Sequence, residues 1–478
     1  MLFNTVSFAI FLPIVLMLYW FVTSKNLKLQ NLLLLLSSYF FYSCWDYRFL
    51  FLLIFSTGLD YFTAIKIDNT SNLKLKKFWL WLSICINLGF LSIFKYYNFF
   101  IESFSDGLSS FGVENSFWTL NIILPVGISF YTFHGLSYII DVYKERIKPE
   151  KDFIDYGVFV SFFPLLVAGP IERATHLLPQ IKKKRIFSQT KFTDGLRQIL
   201  WGLFKKVVIA DNCAKYVNVV FENSQDYSGS TLVLAARLFA FQIYGDFSGY
   251  SDIALGTARL FGIDLLKNFA FPYFSRDIAE FWRRWHISLS SWFKDYVYIP
   301  LGGSRGKMLK KIRNIFVIFL LSGFWHGANW TFIFWGLINA FYFLPLFIFK
   351  KNRNNLEIVA AKSIFPSIKE FFQILFTFIL TTFAWIFFRA NSLQEAFTFV
   401  SNIFTKSLFL KPEIHPKTTV ILICVFIIIE WFGRRNEYAI ANMLQNHPRF
   451  IRWIFYYLIV FAVFYFSENQ LQFIYFQF

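Results

Sequence analysis

The chain has 478 residues, of which 56% are hydrophobic and only 16% are charged. Soluble domains carry about 25% charged residues, because a surface that faces water is covered by them. This composition excludes a water-soluble enzyme and predicts an integral membrane protein. The net charge is +18, and the basic residues lie between apolar blocks. They indicate cytoplasmic loops and no binding of nucleic acid.

Four cysteines lie far apart in apolar stretches, at Cys44, Cys85, Cys213 and Cys424. No CxxC pair and no Cys/His cluster with metal-binding spacing occurs in the sequence. We therefore expect no disulfide framework, no metal ion and no bound cofactor.

Apolar blocks near the length of about 20 residues that a membrane-crossing helix needs recur along the chain. They predict an all-α, polytopic integral membrane protein with about eleven transmembrane helices. The blocks are residues 1–24, 29–45, 49–65, 78–94, 115–140, 201–221, 231–261, 314–349, 371–388, 418–429 and 453–467. No shift in composition divides the chain, so residues 1–478 are predicted to form a single domain.

The distribution of basic residues predicts the topology. The first 24 residues are uncharged and Lys25 and Lys28 follow them, which indicates a retained membrane helix with the N-terminus outside. Block 156–171 lies between two basic stretches and contains two prolines, so it predicts a re-entrant or broken segment. Irregular backbone of this kind is tolerated only inside protein or around a cavity.

His326 lies in the uncharged run 314–349, which is longer than one straight span needs. At 1.5 Å per helical residue it lies about 20 Å from Arg313, at membrane depth. An ionisable residue there is a functional candidate, although a neutral histidine bonded between helices is an alternative. Flanking glycines favour the functional interpretation, with Trp325 and Trp330 as walls of a dry pocket. Gly323, Gly327 and Asn329 are where we expect a bend.

His286 lies in a segment with apolar residues at spacings of three and four between residues 278 and 293. This pattern predicts one amphipathic helix in the membrane interface, with Arg284, Ser288 and Ser291 on its polar face. His286 falls at the edge of the apolar stripe. Both a packing role and a functional role are open for it.

One apolar block carries two carboxylates and two hydroxyl groups, at Asp246, Ser248, Tyr250 and Asp252. The acids could form a proton or cation path. Pairing with Arg237, Arg259 or a cytoplasmic arginine is the favoured alternative, because these arginines are close in sequence.

The catalytic templates of soluble enzymes are missing from the sequence, including a Walker loop, a GxSxG elbow and an HExxH motif. A deep histidine without an adjacent metal or nucleophile points to general-base activation of a hydroxyl group.

Several stretches together resemble the membrane-bound O-acyltransferase family, in the bacterial branch of the alginate O-acetyltransferase membrane subunit. They are residues 124–133 (LPVGISFYTF), 162–173 with the core AGPI, 246–252, 281–303, 322–335 and the terminal 473–478. The resemblance implies about eleven spans with re-entrant and interfacial helices around a central tunnel. It implies that His326 is the membrane-embedded catalytic histidine and His286 the second catalytic histidine. We expect the following residues to bind substrate: Trp285, Trp325, Asn329, Asp246, Ser248, Tyr250 and Asp252.

The resemblance also implies the activity. The expected reaction passes acetyl from a cytoplasmic thioester, acetyl-CoA by expectation, across the bacterial inner membrane for O-acetylation of a cell-envelope polysaccharide such as alginate. Peptidoglycan is an alternative acceptor, and a proton-coupled transporter or flippase is an alternative of another class. The apparent outer loops, 102–117 and 222–230, are too short to hold a polymer. Expected partners are therefore membrane lipid, the thioester donor, the polysaccharide acceptor and an exported acetyltransferase with a Ser/His/Asp site.

Overall fold

The computed structural model describes residues 1–113, 118–120, 123–167 and 169–467. Within these ranges every regular element is a helix. Two compact units form, one from Met1–Phe192 with Thr257–Leu266, the other from Thr193–Gly256 with the described part of Lys267–Phe478. The all-α prediction is confirmed for the described residues, whereas the single domain 1–478 stays a prediction.

The first unit is built from helices α1 to α9. Their bounds are α1 Val6–Met17, α2 Leu27–Ser43, α3 Tyr47–Asp68, α4 Leu73–Leu91, α5 Tyr97–Ser110, α6 Ile128–Tyr143, α7 Phe153–Ser161, α8 Phe163–Leu166 and α9 Ala174–Ile181, with π-helical turns at Leu18–Val22 and Ser92–Tyr96.

Helices α10 to α20 follow, and most of their residues belong to the second unit. Their bounds are α10 Gln189–Leu203, α11 Asp211–Glu222, α12 Gly229–Leu260, α13 Ile278–Arg284, α14 Ile287–Phe293, α15 Met308–His326, α16 Trp330–Ile348, α17 Ile368–Arg389, α18 Leu393–Ile403, α19 Lys417–Gly433 and α20 Arg449–Tyr465. Shorter turns are π-helical at Phe204–Ala210 and Lys294–Tyr298 and 3-10 helical at Ser224–Asp226, Pro272–Phe274 and Lys406–Phe409.

Four helical stretches of the described chain are long and apolar enough to cross a membrane. They are Tyr47–Asp68, Leu73–Ser110, Trp330–Ile348 and Ile368–Arg389. A multi-pass membrane protein is therefore supported, and the count of eleven spans stays a prediction.

Polar side chains set where several of these helices begin. The Asn26 side chain accepts hydrogen bonds from the backbone N–H groups of Lys28 and Leu29 at the start of α2. Ser367 and Glu370 form a reciprocal capping box at the start of α17. Each such cap stabilises its helix by about 1 kcal/mol, because it satisfies N–H groups that have no partner inside the helix.

Two expectations about the first unit need correction. Block 115–140 is not one helix, because α6 begins only at Ile128, after Gly127 with φ of 77°. Part of that block, residues 115–117 and 121–122, lies outside the described residues. The prediction of an outer loop at 102–117 is also wrong for residues 102–110, because α5 continues to Ser110.

The segment 156–171 is broken, as its prolines predict. Helix α7 ends at Ser161, the Phe162 backbone turns away with ψ of 113°, and α8 lasts only four residues. Phe162 and Phe163 are both fully buried in the first unit. The predicted core of the 162–173 motif includes Ala168, which lies outside the described residues, as does the terminal motif 473–478.

In the second unit the long run 314–349 forms a hairpin of two helices. Helix α15 ends at His326, Gly327 is extended with φ of −163°, and α16 begins at Trp330. The expected bend in this run is confirmed. A Cβ atom on Gly323 would collide with the carbonyl of Phe332, so glycine allows the two helix backbones to approach closely.

Candidate active site

His326 is the last residue of α15, and its side chain is only 3% exposed. Because α15 is continuous from Met308, the 13 residue steps after Arg313 correspond to about 20 Å along the helix axis. Its ring lies 5.2 Å from the rings of both Trp335 and Phe388, measured between ring centroids. The helix thus ends on an ionisable side chain enclosed by aromatic rings.

His286 lies at a break between two short helices. Residues 278–293 do not form the single amphipathic helix that the periodicity predicts, because α13 ends at Arg284 and α14 begins at Ile287. His286 itself has left-handed backbone angles, φ 44° and ψ 54°. The conformation is costly for a residue other than glycine, by about 1–3 kcal/mol, and such strain clusters at functional sites.

Backbone hydrogen bonds to residues 268 and 270 stabilise the break between α13 and α14. The N–H of Ala270 donates to the carbonyl of Arg284, and the N–H of Ile287 donates to the carbonyl of Asn268, at 3.0 and 2.9 Å. These groups would otherwise contribute to a continuous helix. Ser288 is also buried, at 1% exposure, so its predicted place on a polar outer face is wrong.

The Asn268 side chain sets the hydrogen-bonding state of His286. Its Oδ1 atom lies 3.0 Å from Nδ1 of His286 and accepts hydrogen bonds from the hydroxyl and backbone N–H of Ser288. Because this oxygen can only accept, Nδ1 of His286 carries the proton. Burial lowers the pKa of His286 to about 3, so the ring is neutral near pH 7. Its Nε2 atom is buried without a hydrogen-bond partner among the described residues and keeps its lone pair.

The two histidines are neighbours in the second unit. Their ring centroids lie 6.3 Å apart, and Trp325 lies 5.8 Å from His286 and 4.9 Å from His326. Two histidines separated by 40 positions in sequence therefore share one aromatic environment, in which water has little access. An ionisable pair in such a place can move a proton to or from a reacting hydroxyl group.

Tryptophan side chains pack around the two histidines. Trp335 stacks on Trp385 at 5.6 Å, and Trp385 contacts Trp285 at 5.0 Å. Trp285 and Trp325 are buried, at 1% and 5% exposure. Trp330 is 53% exposed, so its expected place in the wall is wrong.

The polar residues of 246–252 are bound by lysines. Lys206 contacts Asp246 at 2.8 Å, and Lys205 contacts Asp252 at 2.5 Å and Ser248 at 2.9 Å. Both lysines are almost fully buried, and these contacts pair the two acids with lysines, where the sequence favours an arginine. Buried Tyr250 lies with its ring 5.7 Å from the Lys206 ammonium.

This lysine network fixes α12 beside the histidine pair. Phe247, between Asp246 and Ser248, packs on His286 at 4.7 Å and on Phe269 at 4.9 Å. Asp246 and Ser248 therefore lie one residue from a contact to the site. Their predicted role in binding substrate stays a prediction, as does that of Tyr250 and Asp252.

Asn329 caps a helix. Its Oδ1 accepts from the N–H of Thr331 at the start of α16, and its Nδ2 donates to the carbonyl of Asn391. It thereby helps to fix the turn that follows His326. Substrate binding by Asn329 stays a prediction.

A cavity of about 260 Å³ lies beside α15. Trp282, Phe293 and Phe319 form part of its apolar lining, together with Ser322, which precedes His326 by four residues, about one helical turn. Lys294 and Arg353 also line it. The cavity can therefore receive a ligand that has an apolar part and an anionic part.

Sequence reasoning missed three side chains of this site, Asn268, Trp385 and Phe388. Asn268 lies 18 positions before His286, and no local pattern indicates such a pairing. Trp335 also belongs to the site, and its place in the motif 322–335 is the only feature of the sequence that indicates this. Among the residues that the structure describes, no three His, Cys, Asp or Glu side chains form a group that could hold a metal ion.

The described residues form helices only, four helical stretches are long and apolar enough to cross a membrane, and a buried histidine pair lies among them. These features indicate a membrane enzyme, and comparison with known proteins specifies its class. The family model of the membrane-bound O-acyltransferase family matches residues 145–390, more than half of the chain. The chain belongs to the membrane-bound O-acyltransferase family, and it is an acyltransferase.

Relatives that match over nearly the full length carry more specific names. The chain is 38% identical to a probable alginate O-acetylase, AlgI, of Azotobacter vinelandii, over 91% of this chain and 85% of the relative. It is 38% identical to a peptidoglycan O-acetyltransferase of Helicobacter pylori, over 83% and 78%. A teichoic acid D-alanyltransferase of Bacillus subtilis is 31% identical over 46% of this chain and 58% of its own.

Proposed function

We propose that this protein passes acetyl from a cytoplasmic thioester, acetyl-CoA, across the bacterial inner membrane for O-acetylation of a cell-envelope polysaccharide such as alginate. The observation that carries the proposal is the buried pair His286 and His326 in a chain that belongs to an O-acyltransferase family. Its near full-length similarity to the A. vinelandii relative supports acetyl as the group and alginate as the acceptor.

In the proposed reaction His326 is the general base. It takes the proton of an acceptor hydroxyl as the hydroxyl oxygen attacks the thioester carbonyl carbon. The carbon–sulfur bond then breaks, the thiolate leaves, and the proton on His326 returns to the sulfur. The aromatic wall keeps water away, so that hydrolysis of the thioester does not compete.

His286 is proposed to orient the acceptor. With the proton on Nδ1 bound to Asn268, the Nε2 atom can accept a hydrogen bond from a hydroxyl group. The same tautomer cannot donate to a developing oxyanion, which disfavours the oxyanion role that His286 could otherwise have.

The cavity beside α15 is the proposed donor site. Its apolar lining suits the thioester arm, and Ser322 is one helical turn from His326. Lys294 and Arg353 would attract the phosphate groups of the donor, since opposite charge raises the local concentration of a charged ligand.

The proposed arrangement in the membrane has about eleven spans around a central tunnel, with the N-terminus outside. An exported acetyltransferase with a Ser/His/Asp site would complete the transfer, since the sequence offers no outer loop long enough to build a domain of its own. The other proposed ligands are membrane lipid and the polysaccharide.

Peptidoglycan is a second candidate acceptor. The observation that favours it is the 38% identity to the H. pylori peptidoglycan O-acetyltransferase. Mass spectrometry of envelope glycans from cells with and without the protein distinguishes the two acceptors, because the acetylated sugars differ in mass.

The test uses membrane vesicles with radiolabelled acetyl-CoA. His326→Ala is expected to lower label transfer by about 10²–10⁴-fold, the usual contribution of a general base. His415→Ala removes an exposed histidine of the same unit and is expected to leave transfer unchanged. Full transfer by His326→Ala, inserted at the normal level, would show that this histidine is not the base.

A further inference from the structure

Arg237 is an exposed arginine on a helix whose neighbouring positions are buried. Ala236 and Leu238, on either side of it in α12, are 4% and 2% exposed. Among the described residues Arg237 makes no salt bridge within 4.0 Å and donates no hydrogen bond. Its charge is therefore not compensated by any residue that the structure describes.

Arg237 lines an apolar groove of about 230 Å³ in the second unit. Ile379 and Phe383 of α17 line this groove, together with Phe404 and Leu408. Arg237 is the single charged residue among the described residues that line it. Two of the groove residues, Ile379 and Phe404, also expose large apolar surfaces.

The groove lies near the ends of two of the helices that line it. Helix α17 is apolar and long enough to cross a membrane, and Thr382 of the groove is seven residues from its end at Arg389, about 10 Å. Arg237 is eight residues from the start of α12, about 12 Å. Both distances are shorter than half of a hydrocarbon core of about 30 Å.

We propose that this groove binds a phospholipid, with the lipid phosphate on the Arg237 guanidinium and part of an acyl chain along the apolar lining. An arginine facing hydrocarbon without a counter-ion is costly, and a phosphate group removes that cost by bidentate hydrogen bonds. The apolar walls fit an acyl chain, and the lone cation fits its headgroup. The inference does not depend on the acetyl-transfer proposal.

The groove also lies close to the histidine pair. Ile386 of α17 lines the groove, and Phe388, two residues further along the same helix, contacts His326. A bound lipid would stabilise the segment of α17 that closes one side of the active site.

The test is native mass spectrometry of the full-length protein in detergent, titrated with phosphatidylglycerol or with diacylglycerol of the same acyl chains. Arg237→Gln is expected to raise the apparent Kd for phosphatidylglycerol on the order of tenfold, since a charge-assisted phosphate contact is lost. Lys411→Gln is the matched control: it removes an exposed positive charge outside the groove lining and is expected to have no effect.

A second variant tests the groove without changing its charge. Leu408→Trp fills the groove from a short 3-10 turn and is expected to weaken phosphatidylglycerol binding while Arg237 remains. Equal binding of phosphatidylglycerol by wild type, Arg237→Gln and Leu408→Trp would overturn the proposal. Diacylglycerol binding as tight as that of phosphatidylglycerol, or a second copy of the chain in place of lipid, would overturn it as well.

Discussion

Asn268 offers the sharpest test of how the site positions its second histidine. Its Oδ1 atom is the partner of the His286 Nδ1–H, and it also accepts from the Ser288 hydroxyl. Asn268→Leu keeps a side chain of similar size and removes this acceptor. His286 then keeps a buried N–H group without a partner, in a left-handed backbone conformation.

The size of the expected loss of activity follows from the lost hydrogen bond between His286 and Asn268. A buried donor without a partner costs about 1–3 kcal/mol. At about 1.4 kcal/mol for each factor of ten, a cost of this size in the productive orientation lowers the transfer rate by about 5- to 150-fold. Part of the cost will appear as lower stability, because the three hydrogen bonds to the Asn268 side chain also stabilise the break between α13 and α14.

The assay measures acetyl transfer from labelled acetyl-CoA in vesicles as a function of pH. Ser288→Ala is the matched control, since it removes another donor to the same oxygen and leaves the histidine contact in place. We expect it to lower the rate by at most about 2- to 12-fold, the range that a neutral hydrogen bond of about 0.5–1.5 kcal/mol allows. Asn268→Asp keeps the acceptor and adds negative charge, which raises the pKa of His286 from about 3 and moves the acid limb of the pH profile upward.

The outcomes separate positioning from simple packing. If Asn268→Leu transfers acetyl at the wild-type rate with an unchanged pH profile, the tautomer argument for His286 is wrong. If Asn268→Asp and Asn268→Leu lose activity equally and neither shifts the pH profile, Asn268 only supports packing.

Two further predictions concern stability. Lys206→Met removes the ammonium group that contacts the buried carboxylates of Asp246 and Asp211, so it is expected to destabilise the protein by about 3–5 kcal/mol. The thermal midpoint in detergent measures the loss, with Lys406→Met at an exposed position as the control. An unchanged midpoint for Lys206→Met would contradict the prediction. The hydrogen bond from His176 to Glu172 raises the pKa of His176 above 6.5, so its stabilising contribution is present below pH 6.5 and is lost as pH rises through the folded pKa. His176→Phe is therefore expected to lower the thermal midpoint more at pH 6 than at pH 9, and an equal loss at both would refute the linkage.

Several features of this protein were fixed by local sequence. Apolar blocks and sparse charge indicated membrane-crossing helices, because a helix in hydrocarbon must be apolar over its length. The uncharged run 314–349 is too long for one span, and Gly323, Gly327 and Asn329 predict a bend; the structure has it between His326 and Trp330. The prolines of 156–171 indicated a broken segment, and the structure has one there.

Only the tertiary structure decided how the site is assembled. The periodicity of 278–293 predicts one helix, but bonds to residues 268 and 270 compete with it, so His286 lies at a break. Asp246 and Asp252 contact lysines that are 40 and 47 positions away, in a π-helical turn that places both ammonium groups inside the unit. Helical periodicity reports which face of a segment is apolar, whereas the pairing of buried charges depends on which segments meet. That pairing is a property of packing between helices, and the sequence of any one segment does not contain it.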